Sequence, residues 1–158
     1  MTPTRDATTF RRKLAERVIE ELSPDLSRVS AYRGPAFADT DDPDAQALEE
    51  RGGTFEWVAF GFDPHSMWNA HIGVLTTDEE VTVGVHVHNR LSAETPPAVA
   101  ALGEDIGTTY RYSETAAEHQ FNRPAVPLED VGIADLAGEI ATLCRQFEPL
   151  VDSLHADR

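Results

Sequence analysis

The sequence predicts an α+β domain, an antiparallel or mixed β-sheet covered by N- and C-terminal helices. Three observations predict it. Apolar residues recur at helical spacing near both ends. The middle of the chain carries an aromatic run of strand length followed by two stretches of alternating character around a short polar turn. No internal repeat divides the 158 residues, so residues 1–158 read as one domain. That length buries a core without disulfides or a structural metal.

The first helix is read over residues 5–22, where Phe10, Leu14, Val18 and Leu22 follow at four-residue steps. Ser23-Pro24 ends it and can start a short second helix through Leu26 and Val29. Residues 33–53 read as a solvated acidic loop with Asp39, Asp41, Asp42, Asp44, Glu49 and Glu50; the calcium-loop spacing and its glycine are missing. FEWVAFGF at 55–62 is a buried strand with Trp57 in the core. Pro96-Pro97 starts a short helix over AVAAL, and TTYRYS and AEHQF are weaker strand candidates. The region around Pro124 and Pro127 reads as loop. In the last segment Ile133, Leu136, Ile140, Leu143, Phe147, Leu150 and Leu154 alternate steps of three and four, with a kink or break expected at 146–148 because Pro149 cannot donate to the residue four back.

The candidate site comes from HIGVLTTDEEVTVGVHVH, residues 71–88. With Thr77 to Glu80 as the turn, Thr76 pairs with Val81, Val74 with Val83, Ile72 with Val85 and Ala70 with Val87, all on one apolar face. The other face then pairs Leu75 with Thr82, Gly73 with Gly84 and His71 with His86, with His88 one step on. Facing glycines leave bare backbone, which invites a close approach by a helix or a ligand. His71, His86 and His88 are candidate ligands for a divalent metal, with Asp63, His65 or Glu56 as further candidates; three imidazoles and a water make a workable zinc site if the ring nitrogens converge within about 4 Å. Without a metal, the same residues frame a small-molecule groove floored by Gly73 and Gly84 and rimmed by the histidines, with Trp68 at its mouth and Arg111 as an anion-binding candidate. The plainer alternative is a polar face that is solvated or covered by a helix. His119 approaches this face if its strand joins the same sheet.

Charge and composition limit the partners. There are 28 Asp and Glu against 13 Lys and Arg, a net charge of −15, and all but Lys13 of the basic residues are arginine. An acidic, lysine-poor surface stays soluble in molar salt, where the Debye length falls to about 3 Å, and suits a halophile's cytoplasm. The charge speaks against nucleic acid as a partner, though less so if every surface in the cell is acidic. No signal peptide or membrane-length apolar run is present, and Cys144 is the sole cysteine, so a cytoplasmic location and no membrane partner are expected. Cys144 reads as a structural thiol, and no nucleophile elbow, P-loop or dinucleotide fingerprint occurs.

The order of DLSRVSA (25–31), TFEWVAF (54–60) and AHIGV (70–74) resembles the YktB-like family of small uncharacterised proteins over roughly residues 10–90. The resemblance implies a compact α+β domain with helices packed on an antiparallel sheet. It implies no activity, and His71, Ile72 and Gly73, which match the family pattern, bring no role with them. Three readings of function follow: a non-catalytic ligand-binding or regulatory domain, a metal-dependent hydrolase built on His71, His86 and His88, and a homodimer joined through a sheet edge or the C-terminal helix.

Overall fold

The computed structural model describes residues 7–23, 26, 28–33, 56–76, 80–114 and 117–156. Helix α1 (Ala7–Leu22) leads into strand β1 (Val29–Arg33). Strands β2 (Glu56–Phe62), β3 (Ala70–Thr76) and β4 (Glu80–His88) follow, then helix α2 (Pro97–Asp105), strands β5 (Thr109–Ser113), β6 (Glu118–Asn122) and β7 (Val126–Pro127), a single 3-10 turn, and helix α3 (Ile133–Ala156). The strands form one antiparallel sheet in the order β1-β2-β3-β4-β6-β5, with β7 pairing the start of β4. The architecture is α+β, as the sequence predicts, and the β3–β4 hairpin is central.

The hairpin register is the expected one. Ala70 faces Val87, Ile72 faces Val85 and Val74 faces Val83, while His71 faces His86 and Gly73 faces Gly84. The parity follows from burial: a slip of one residue would exchange the valines for histidines and glycines on the core side. Phe10, Leu14, Val18 and Leu22 of α1 are all buried, as are Leu136, Ile140, Leu143, Phe147 and Val151 of α3. They form one core with Val58, Phe60 and Phe62 of β2 and the hairpin valines, and the Phe62 and Phe147 rings meet edge to face. Cys144 lies within this core, and burial pushes its thiol up to about 12, in keeping with a structural role.

Three local expectations are corrected. Val29 opens β1 instead of continuing a helix: Leu26 N–H donates to the Leu22 carbonyl, and Val29 pairs with Phe62 in the sheet and is buried there. Helix α3 runs unbroken through Pro149. That proline lies on the exposed side, where a carbonyl deprived of its amide partner can turn to water. Val126 and Pro127 form a short strand where a loop is expected. Trp57 is buried in the core as expected, in a second cluster with Ala59 and Met67 on the other face of the sheet. The acidic run at 39–50, Pro24 and the turn residues 77–79 lie outside the described residues. No helix among the described residues is long and apolar enough to cross a membrane.

Candidate metal centre

The second face of the sheet is not a solvated surface. His71, His86, His88, Glu118 and Gln120 are all buried on it. His71 and His86 face each other across the hairpin, their rings edge to face with His71 Nε2 3.2 Å from His86 Nδ1. Glu118 reaches the same point from β6, with Oε1 3.3 Å from His86 Nδ1. One ligand atom from each of the three lies within 4.8 Å of the others. Atoms bound about 2.1 Å from a common ion at tetrahedral or octahedral angles sit roughly 3.0–3.4 Å apart, so the two measured edges match a metal's coordination shell.

Each imidazole spends its other nitrogen on an outer partner. His71 Nδ1–H donates to the Met67 carbonyl at 2.7 Å, and His86 Nε2–H donates to Asn122 Oδ1 at 2.7 Å. Such bonds orient metal-ligating histidines and select the nitrogen that faces the ion. The nitrogens left over, His71 Nε2 and His86 Nδ1, face one another, and His86 Nδ1 also faces the Glu118 carboxylate.

Burial holds the His71 imidazole down at about 4, against an upward pull from Glu118 and a smaller downward push from His86, so this ring is neutral at physiological pH. A consequence for stability follows. In the unfolded chain His71 takes up a proton near its ordinary value of 6.5, whereas the metal-free folded protein refuses it until about pH 4. The unfolded state therefore binds more protons inside that window. The contribution is intact above pH 6.5 and lost as pH falls toward 4, about 3 kcal/mol in all from this group. Urea unfolding of chelator-treated wild type and His71→Gln between pH 7.5 and 4.5 checks it; equal pH slopes for the two proteins would contradict the assignment.

The glycines have a use that differs from the one expected. A Cβ on Gly73 would stand 2.6 Å from Cε1 and Nδ1 of His86, and a Cβ on Gly84 would stand 2.1 Å from Asn122 Oδ1 and 2.5 Å from the Phe121 carbonyl oxygen. The bare backbone is filled by the site's own His86 ring and Asn122 amide, not by an open groove.

The other candidates are placed as follows. His88 lies on the same face, opposite Glu118 in register, but its Nδ1 accepts from the Arg90 backbone N–H at 3.0 Å and from Arg90 Nε at 3.1 Å. Among the described residues the group able to hold a metal contains Glu118 in the place expected for His88. Trp68 is half-buried and meets Trp57 edge to face at 5.9 Å, in an apolar cluster with Met67, Ala59 and Leu75 beside His71. Arg111 shares the face, opposite Gln120, but is exposed on edge strand β5. His119 falls on the opposite face, opposite Val87, where Tyr110 O–H donates to its Nδ1 at 2.9 Å. Asp63 accepts from Ser30, and His65 bonds Asp152 of α3, so neither joins the centre; the Glu56 side chain lies outside the described residues. Sequence reasoning missed Glu118, Gln120 and Asn122. Their alternation in EHQFN is the signal, and it becomes readable only once β6 is known to lie beside β4. Compared with known proteins, the chain matches no family model, no curated protein and no solved structure.

Proposed function

We propose that the protein binds one divalent transition-metal ion through His71 Nε2, His86 Nδ1 and Glu118 Oε1, and that the ion is the fixed centre of a non-catalytic binding or regulatory domain. The observation that carries this reading is the convergence of three buried ligand atoms, His71 Nε2, His86 Nδ1 and Glu118 Oε1. Glu118 sets a buried carboxylate beside the two imidazoles, and among the described residues His86 and Gln120 are its side-chain partners. A buried anion of this kind calls for a positive partner, either a proton shared at His86 Nδ1 or a metal ion. Imidazole and carboxylate donors without a thiolate favour zinc, nickel, cobalt, manganese or ferrous iron over soft cuprous ion. The burial of all three ligands supports a closed centre, in contrast to catalytic zinc sites, which keep a position open.

The test is the metal content of tag-free protein purified without chelator in molar KCl, beside a His71→Ala, His86→Ala double variant. The expected result is close to one ion per wild-type chain and none in the variant. Wild type that carries no ion, and takes none up on titration with zinc, cobalt, nickel or manganese, overturns the reading.

Three protein ligands also fit a metal-dependent hydrolase, with water as the fourth ligand. The proton relaxation rate of solvent water separates the two in manganese-loaded protein. An ion without exchanging water favours the binding domain, and rapid exchange favours the hydrolase.

A further inference from the structure

We propose that Gln120 and Asn122 are positioning residues of this centre, and that together they force the Nδ1 atom of His86 to face the ion. The inference rests on the metal reading only for its effect on affinity. Its structural core is a chain of three hydrogen bonds along one face of β6. Gln120 Nε2 donates to Glu118 Oε1 at 2.7 Å, Asn122 Nδ2 donates to Gln120 Oε1 at 3.2 Å, and His86 Nε2 donates to Asn122 Oδ1 at 2.7 Å.

The direction of this chain is set at one end. An ionised carboxylate accepts and cannot donate, so Gln120 must turn its NH2 toward Glu118. Its Oε1 then faces Asn122, which must present its own NH2 and turn Oδ1 toward His86. His86 can satisfy that oxygen only with Nε2–H. A neutral His86 is left with a bare Nδ1, and Nδ1 is the atom that meets Glu118 Oε1 and His71 Nε2. The carboxylate that would bind the metal thus also dictates, through two amides, which nitrogen its partner ligand offers. Gln120 makes this happen without a hydrogen bond to His86: it lies opposite His86 in the strand register and works through Asn122. Register and backbone geometry alone leave the imidazole free to hold its proton on either nitrogen. If the proton sat on Nδ1, it would point into the space the ion needs.

The test reads the tautomer directly, in the metal-free protein. Long-range proton–nitrogen correlation spectra of imidazole-labelled protein at about pH 8.5, where free imidazoles are neutral, report which ring nitrogen carries hydrogen. Wild type is expected to show His86 as the Nε2–H form. In Gln120→Leu and Asn122→Leu the Nδ1–H form should appear, because Glu118 and His71 accept an Nδ1–H once the chain is cut. Asn122→Asp keeps an acceptor for Nε2–H and should retain the wild-type tautomer, which a general loss of packing would not rescue. Cobalt or zinc affinity should fall roughly 10- to 100-fold in the two leucine variants. Should Asn122→Leu fail to fold, Gln120→Leu and Asn122→Asp carry the test.

A wild-type tautomer in Gln120→Leu overturns the proposal, whatever the metal result. A shifted tautomer with unchanged metal affinity also overturns it, since the amides then position nothing that the ion uses. The Nε2–H form in wild type and a shifted tautomer in the leucine variants, with a wild type that takes up no metal, support the hydrogen-bonded chain and sink the metal reading alone; the Nδ1–H form in wild type overturns the chain.

Discussion

Glu118→Gln is expected to remove nearly all the stabilisation that a bound ion gives the wild-type protein while leaving the metal-free fold intact. Glutamine has the shape of glutamate and keeps an oxygen for Gln120. It lacks the charge that makes the pocket attractive to a cation. An ion present at 1,000 times its dissociation constant stabilises the folded state by about 4 kcal/mol. For a chain of this size that raises the midpoint of thermal unfolding by roughly 8–16 °C. Loss of the anionic ligand should weaken binding by roughly 1,000-fold, beyond the 10- to 100-fold typical of outer partners, and the same ion concentration then shifts the variant by less than about 2 °C.

Without metal the two proteins separate differently. At the Oε1 position, 3.3 Å from His86 Nδ1 and 2.7 Å from Gln120 Nε2, the glutamine presents either its NH2 to the histidine or its oxygen to Gln120, and in either case it removes the buried charge. Chelator-treated Glu118→Gln should therefore unfold at or above the wild-type midpoint. Thermal melts of both proteins, with chelator and with added zinc, check this in one series. A zinc shift in Glu118→Gln equal to that of wild type would show that the carboxylate holds no ion.

The legible and the hidden parts of this centre divide along a physical line. The facing of His71 and His86 could be read from the chain, because a hairpin with a short turn fixes its own register and the valines fix its parity. The N- and C-terminal helices could be read because their apolar stripes follow the helical period over several turns. Glu118 could not, since its position depends on β6 crossing to lie beside β4, and strand order is decided by packing between distant segments. EHQFN taken alone is also a weak strand: Glu118, Gln120 and Asn122 lower its apparent β character, yet they form the polar face of the site, with Glu118 and Gln120 buried and Asn122 half-buried. The same limit explains His88. Its parity was correct, but Arg90 turns the chain so that its own backbone and side chain bond the ring. Val29 shows the reverse case, where a segment with a good helix start is drawn into the sheet by the core beside Phe62.

Alanine at the two facing glycines should divide the stability of the fold from the integrity of the site. At Gly84 the new methyl meets the Phe121 carbonyl oxygen at 2.5 Å and the Asn122 Cα at 3.0 Å, both in the backbone of β6. Neither can move without opening the β4–β6 ladder, so Gly84→Ala should cost about 3 kcal/mol or more, the upper end for an overpacked interior. At Gly73 the methyl meets the ring of His86 instead, including Nδ1 itself, at 2.6 Å. A ring can swing where a strand cannot, so Gly73→Ala should keep more of the fold's stability and lose the metal. Gly138, inside α3, is the control: nothing lies within 4 Å of its added Cβ, and Gly138→Ala should raise stability by about 0.5–1 kcal/mol through helix propensity. Urea unfolding with chelator ranks the three, and zinc titration separates Gly73→Ala from the control. If Gly84→Ala matches wild type in urea, β6 does not lie against β4 at this point, and Glu118 loses its place beside His86. If Gly73→Ala binds zinc as wild type does, the His86 ring is not held over Gly73 when the ion is bound.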